Sequence, residues 1–435
     1  MKVNFKFKGM KKFSCIWASQ FLSVFGSGLT RFGVIIWAYQ QTGSATSLSL
    51  LSFFATLPYV LISPLAGALV DRWDRRRVLI FSDLAAGAVT LGLLLLFLGG
   101  HLQIWHLYLS EALLSLFGAF QDPAFESSVT LLVPTDQLTR ANGMLSVATN
   151  GSRIFAPVMG GLLVNWIGLG GIMGIDLATC LAATLVLAFL SIPRPVTAQS
   201  NTPDNRQLWQ NMAFGFRYIH QHSGLQGILL IFCGVNLFAA LTYFGVMPAM
   251  ILARSGGNEL ALSTVQAVLG AGGVVGGVLI SLHGGPKNRV NGFLFTNGIS
   301  FLMGDFLFAV SRSIPVWVLA ALVSSLFIPY IVSCYQALWQ SLVPADVQGR
   351  VFAAKNMVQV GSMPLAYLVA GPLADNVFEP AMQPGGSLAG IFGPLVGSGP
   401  GAGMGLMFLG TCVMGVTISI IGYLSPSIRN LEKSV

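Results

Sequence analysis

Charge is what this chain of 435 residues has least of: Asp, Glu, Lys and Arg together supply 9% of it, against roughly 25% in an average soluble domain. So little charge cannot cover the surface of a soluble protein of this length. Histidine and cysteine are scarce as well, at five each. Cys15, Cys180, Cys233, Cys334 and Cys412 are odd in number and lie inside apolar runs. No spacing among them fits a metal site or a disulfide framework, so they read as small packing residues. His101, His106, His220, His222 and His283 sit at or near the ends of apolar runs. A role for one of them as a proton carrier stays open. A nucleotide-binding loop, a catalytic triad and a metal constellation are all missing, so neither an enzyme nor a cofactor is expected. No cleavable leader is expected either, because the basic start runs straight into a full-length apolar stretch.

What is present is apolar. Hydrophobic residues make up 54% of the chain, mean hydropathy is +0.74, and there are 51 glycines, a composition suited to helices packing closely in lipid. A span needs about 20 apolar residues to cross the hydrocarbon core. Twelve candidates follow, at about 14–39, 46–70, 78–99, 104–131, 141–166, 170–192, 225–253, 261–283, 290–311, 315–342, 352–376 and 402–425. Each is expected to be helical, since only helices and closed barrels satisfy the backbone in lipid. The fold class read here is therefore an all-α integral membrane protein of twelve transmembrane helices.

The net charge of +8 does not indicate nucleic acid, because the cations are distributed by topology. Of 23 Lys and Arg, 19 fall in alternate segments, and the intervening loops hold only Arg254 and Arg312. This positive-inside pattern places both termini in the cytoplasm and the chain in the cytoplasmic (inner) membrane as a multi-pass protein.

The longest polar stretch follows the sixth span, giving an N-terminal half at 1–192, a cytoplasmic linker at 193–224 and a C-terminal half at 225–435. Leu208 to His220 reads as a short amphipathic surface helix bracing the halves. The halves repeat at an offset of 210 residues. Gly67-Ala68-Leu69 recurs as Gly277-Val278-Leu279, Pro134-Thr135-Asp136 as Pro344-Ala345-Asp346, and Gly161-Leu162-Leu163 as Gly371-Pro372-Leu373. Such duplication marks secondary transporters, whose substrate site lies between the repeats. Gln383 to Gly403 is rich in Gly and Pro and has no charge. It reads either as a re-entrant or surface-lying cover or as a loose apolar loop.

The most specific local signal is Gly67-Ala68-Leu69-Val70-Asp71-Arg72-Trp73-Asp74-Arg75-Arg76-Arg77 between the second and third spans. It resembles the loop signature of the major facilitator superfamily, which implies two pseudo-symmetric six-helix halves. Gly67 would let the second span approach a neighbour closely. Asp71 would face the N-terminal end of the eleventh span. Arg72, Arg75 and Arg76 would bridge to carboxylates of the fourth span, with Asp122 and Glu126, four residues apart, on one face. The resemblance implies that this group is an inner gate. The second half has Ser281 where Asp would stand.

Over nearly its full length the chain is similar to the macrolide-efflux group of that superfamily. The residues that carry this are Gln41-Thr42-Gly43-Ser44-Ala45, Ser82-Asp83-Leu84, Gly118-Ala119-Phe120 with Pro123-Ala124, Pro134 to Arg140, and Ile175-Asp176. Many drug–proton exchangers of the superfamily carry an Arg within the fourth span; here Leu114 stands near that place.

An ionisable residue inside a span costs about 2.5–3.5 kcal/mol on insertion scales, so each needs a reason. Arg31 binds an anionic group, pairs with an acid of another span, or snorkels to the interface. Glu111 is the leading candidate for a proton-carrying carboxylate. A salt bridge to Arg31 is the alternative. Asp83 and Asp176, each early in its span, are explained by the helix dipole. Asp305 lies deeper, with Arg312 nearly two turns away, so a pair between them is one option and an unpaired acid the other. Arg153 is the candidate cation on the inner side of a cavity. Tyr59, Phe117, Phe238, Tyr243, Tyr330, Tyr335, Gln336, Gln359 and Tyr367 are candidate pocket or packing residues. The glycine run from Gly270 to Gly277 reads as close helix packing.

The expected activity is export of a small hydrophobic or amphipathic substrate by alternating access, with the proton as coupling ion. A siderophore exporter or a lysolipid transporter of the same fold is the alternative. A membrane enzyme would need His or acidic residues clustered at one face, and a sensor would need a soluble appendage. The chain shows neither.

Overall fold

Apolar runs too long for a soluble core become helices, because a helix satisfies its backbone within the segment. The computed structural model describes residues 3–70, 73–133, 137–190, 205–286, 288–344 and 347–433. Asp71, Arg72, Thr135, Asp136 and most of the linker lie outside them. The first helices are α1 (Val3–Thr42), α2 (Ala45–Val70), α3 (Arg75–Leu98), α4 (Ile104–Leu132) and α5 (Leu138–Phe189). Asp74 caps α3, accepting from the amides of Arg76 and Arg77, as a short carboxylate at an N-cap does. The 52-residue α5 breaks at Gly168, where φ is +66°. Only glycine adopts that backbone without strain, so the element makes two passes.

After α6 (Asn205–Gln221), each of three later spans contains a π-helical turn. The first is α7 (Ser223–Ala239), π1 (Ala240–Val246) and α8 (Met247–Arg254). After α9 (Glu259–His283) comes α10 (Arg289–Ile299), π2 (Ser300–Asp305) and α11 (Phe306–Val310). After α12 (Ile314–Leu342) comes α13 (Gln348–Leu373), π3 (Ala374–Phe378) and α14 (Glu379–Met382). Then follow α15 (Ala389–Val396), α16 (Ala402–Leu424) and α17 (Pro426–Arg429). Ten helical stretches among the described residues are long and apolar enough to span a membrane. The break at Gly168 divides one of them, and α4, which carries three acids, completes the twelve.

The chain forms two compact units. One comprises residues 1–42 and 50–199; the other comprises 43–49 and 200–435. In the first, α1 packs along α5, and Phe13, Ile16, Leu79, Ala124 and Leu187 form a buried cluster. In the second, α9 packs on α12. The glycine run makes this possible, because a Cβ on Gly276 would strike the carbonyl of Leu326. Ile228, Phe293, Tyr335, Trp339 and Val351 fill its core. The amphipathic α6 packs on α13 of this second unit, with the Arg350 guanidinium 4.4 Å from the Phe214 ring.

The Gly/Pro-rich segment is built, not loose. It contains the eight-residue α15, and Arg254 at the end of α8 anchors its surroundings. Arg254 donates from Nε to the carbonyl of Gly401 (3.1 Å), and from Nη2 to that of Val396 (3.1 Å). Its Nη1 donates to the carbonyls of Ala309 (3.2 Å) and Ser311 (2.5 Å). Glu379 accepts from the amides of Gly401 and Met404 at the start of α16.

Candidate functional site

Three acids of the first unit meet in one cavity of about 300 Å³, lined among others by Ser23, Arg31, Leu114, Phe117 and Gln121. Asp83 comes from α3, Glu111 from α4 and Asp176 from the second pass of α5. All three are buried, with 2%, 9% and 3% of their surface exposed. Asp83 accepts from Gln20 Nε2 (2.9 Å) and Gln121 Nε2 (2.6 Å). Asp176 accepts from Ser27 Oγ (2.9 Å) and Thr90 Oγ1 (3.2 Å). The dipole explanation for these two acids gives way: neutral side chains of neighbouring helices hold both. Gly26 makes room on α1, since a Cβ there would lie 3.1 Å from the Asp176 Cα.

Arg31 is the sole cation among the described lining residues and lies within electrostatic reach of Glu111. Three carboxylates thus face one guanidinium. Uncompensated charge in so buried a place is costly, and binding a proton or a cationic group relieves it. Leu114 contributes an apolar wall where the resemblance calls for a second guanidinium. Arg153 is exposed and is not part of the lining.

The inner-gate residues are arranged differently from their expected pairing. Arg76 donates from Nε to the carbonyl of Leu187 (2.8 Å) and from Nη2 to that of Ala188 at the end of α5. Asp122 accepts instead from Tyr59 Oη (3.1 Å). Arg75 is half-buried at the start of α3. Among the described residues no atom lies within 4 Å of where a Cβ on Gly67 would stand. Asp71 and Arg72 lie outside the described residues.

In the second unit Asp305 is 1% exposed and accepts from Tyr243 Oη (2.6 Å) and Thr411 Oγ1 (2.6 Å). These neutral donors, and not Arg312, hold it. Tyr243 and Asp305 both lie on π turns, π1 and π2, which recur at functional sites because they re-aim side chains. Two further groups escaped the sequence reading. Lys355, one of the 19 cations that the alternating pattern assigns to the cytoplasmic side, is buried in α13. Its Nζ donates to Gln336 Oε1 (2.9 Å) and lies 5.1–5.6 Å from the rings of Phe352, Tyr335 and Trp339. Asp375 on π3 caps the start of α2, accepting from Ser44 Oγ (2.6 Å) and from the amides of Ala45 (3.1 Å) and Thr46 (2.8 Å). One turn earlier, a Cβ on Gly371 would overlap the Thr46 backbone, so the two helices touch there. The only signal for either group was an ionisable residue near a span end, which snorkelling explains equally well.

Comparison with known proteins gives a consistent result. The family model described as Major Facilitator Superfamily matches residues 16–367. Macrolide efflux protein A of Streptococcus pyogenes is 28% identical over 371 residues, covering 84% of this chain and 90% of that protein. Multidrug efflux pump Tap of Mycolicibacterium fortuitum is 25% identical over 367 residues, covering 80% and 86%. The crystal structure of a bacterial homologue of the human lysosomal transporter Spinster superposes with a TM-score of 0.69 at 15% identity, covering 97% of this chain and 98% of that one.

Proposed function

The chain belongs to the major facilitator superfamily, and from that premise we propose that it exports amphipathic drugs or related small molecules from the cytoplasm in exchange for protons. The similarity to macrolide efflux protein A and to the efflux pump Tap supports the direction and the class of cargo. The single observation that carries the coupling is the cavity in which Asp83, Glu111 and Asp176 share one guanidinium, Arg31. A proton taken up on one face of the membrane relieves the excess negative charge. A cationic or polar group of the cargo competes for the same carboxylates, and that competition is the exchange. Glu111 is the favoured carrier because neutral donors already hold Asp83 and Asp176. Asp305, buried against Tyr243 and Thr411, is a second candidate. The distribution of Lys and Arg supports both termini being cytoplasmic and residence in the inner membrane.

The test is accumulation of a panel of macrolides, dyes and fluoroquinolones in an efflux-deficient bacterium expressing the chain, with and without a protonophore. The expected outcome is lower accumulation that the protonophore abolishes. No change for any compound, with expression in the membrane verified, would sink the drug reading and favour a siderophore or lysolipid.

A further inference from the structure

One void of the second unit lies away from every acid discussed above. It is a groove of about 680 Å³ between α10 and α16, within the range of roughly 300–1,000 Å³ typical of ligand sites. We propose that this groove holds one acyl chain of a membrane phospholipid as a resident ligand.

The lining is graded along its length. Asn288 and Asn291 stand at one end, the boundary end of α10, and beyond them the walls are almost wholly apolar. No ionised side chain lines it among the described residues. Such a gradient matches a lipid, polar at the membrane boundary and hydrocarbon beyond. From Asn288 to Leu302, helical rise gives a length of about 21 Å. That exceeds the ~15 Å depth of one leaflet's hydrocarbon, so an extended chain fits end to end and a compact ring system leaves much of it empty. The floor is open because α10 offers Gly298, which has no side chain and whose Cβ would stand 3.5 Å from Ser419 Cβ, while Asn297 Nδ2 donates to Ser419 Oγ (2.7 Å) behind it. The rims are large apolar side chains, Phe295 and Ile420, more than half exposed on two membrane spans. The groove therefore opens sideways into hydrocarbon, where phospholipid tails are the abundant occupant. This reading concerns what the bundle binds and does not depend on its cargo.

The test places the full chain in nanodiscs of phosphatidylethanolamine and phosphatidylglycerol, doped with a phospholipid bearing a diazirine midway along one acyl chain. Adducts are then mapped by peptide mass spectrometry. The expected result is labelling of 288–302 and 416–423 several-fold above equally exposed apolar faces, such as Leu91 and Leu95 of α3 or Leu181 and Leu185 of α5. Gly298→Leu, which fills the floor, should bring the groove to the level of those faces. Ile420→Trp, which adds bulk on the exposed rim without touching the α10–α16 contact, should do the same should the first variant fail to fold. Even labelling of all bilayer-facing helices would overturn the proposal. So would loss of labelling when excess macrolide is present before irradiation, which would give the groove to the cargo.

Discussion

Replacing Asp375 by Ala removes the acceptor of three hydrogen bonds at once, from Ser44 Oγ and the amides of Ala45 and Thr46. Loss of an N-cap costs about 0.5–2 kcal/mol, and loss of a negative charge at a helix start costs a further 0.3–1 kcal/mol or so. Ser44 Oγ also accepts from the Ser47 amide (3.3 Å) and can keep part of the cap, so the expected net cost is about 2 kcal/mol. At 1.36 kcal/mol per factor of ten, the start of α2 should open about 30-fold more often. Hydrogen exchange of the detergent-purified protein reads this directly, because the Ala45 and Thr46 amides are the groups released. Asp375→Asn keeps one oxygen acceptor and loses the charge, so about 1 kcal/mol and roughly fivefold faster exchange are expected. Peptides within α3 serve as the internal control and should not change. Should Asp375→Ala leave exchange over 43–49 unaltered, the carboxylate is not what holds α2, and packing at Gly371 must suffice.

Four other outcomes are expected. Glu111→Gln should abolish export driven by a pH gradient and make drug binding independent of pH while leaving thermal stability intact; persistence of gradient-driven export would move the carrier role to Asp83 or Asp305. Arg254→Lys cannot reach carbonyls as far apart in the chain as Gly401, Val396 and Ser311, and hydrogen bonds from charged groups contribute about 1.5–3 kcal/mol each. A clear fall in Tm, with faster proteolysis between 383 and 400, is expected, and an unchanged Tm would refute the anchoring role. Asp305→Ala should cost about 1–3 kcal/mol by removing the acceptor of the buried Tyr243 hydroxyl, while Thr411 keeps the Phe408 carbonyl, with Asp305→Asn much milder, both read by chemical denaturation. Gly276→Ala pushes a methyl into the Leu326 carbonyl and should destabilise by about 1–3 kcal/mol as overpacking does; no effect would mean that α9 and α12 part easily.

The spans were legible in the sequence because crossing a membrane demands length and apolarity, and both are counted without knowing any neighbour. That the α9 glycine run packs closely was legible for a similar reason, since small residues at helical spacing have few other uses in lipid; that its partner is α12 was not. Helix faces were not. In a bilayer both the lipid side and the bundle side are apolar, so nothing in the pattern around Asp83 or Asp176 showed which way either acid points. That is why a local dipole explanation suited two residues that in fact share a cavity with Glu111. Arg254 read as a loop cation because its acceptors are backbone carbonyls, and a carbonyl has no sequence signature. Arg76 misled in the same way, pairing with the end of α5 where a carboxylate partner was expected.

Tyr243, Asp305 and Asp375 each sit in a π turn of an otherwise α-helical span. A π turn holds one residue more than the α turn it interrupts. At 3.6 residues per turn, that extra residue rotates everything beyond it by about 100° about the axis. These three helices therefore change phase partway across the membrane, and a face inferred from one end is the wrong face at the other. They also become tolerant of shortening at one place only. Deleting a residue inside the turn restores ordinary hydrogen bonding and swings the Tyr243, Asp305 or Asp375 side chain off its partners, whereas a deletion elsewhere puts the rest of the span out of register with its packing.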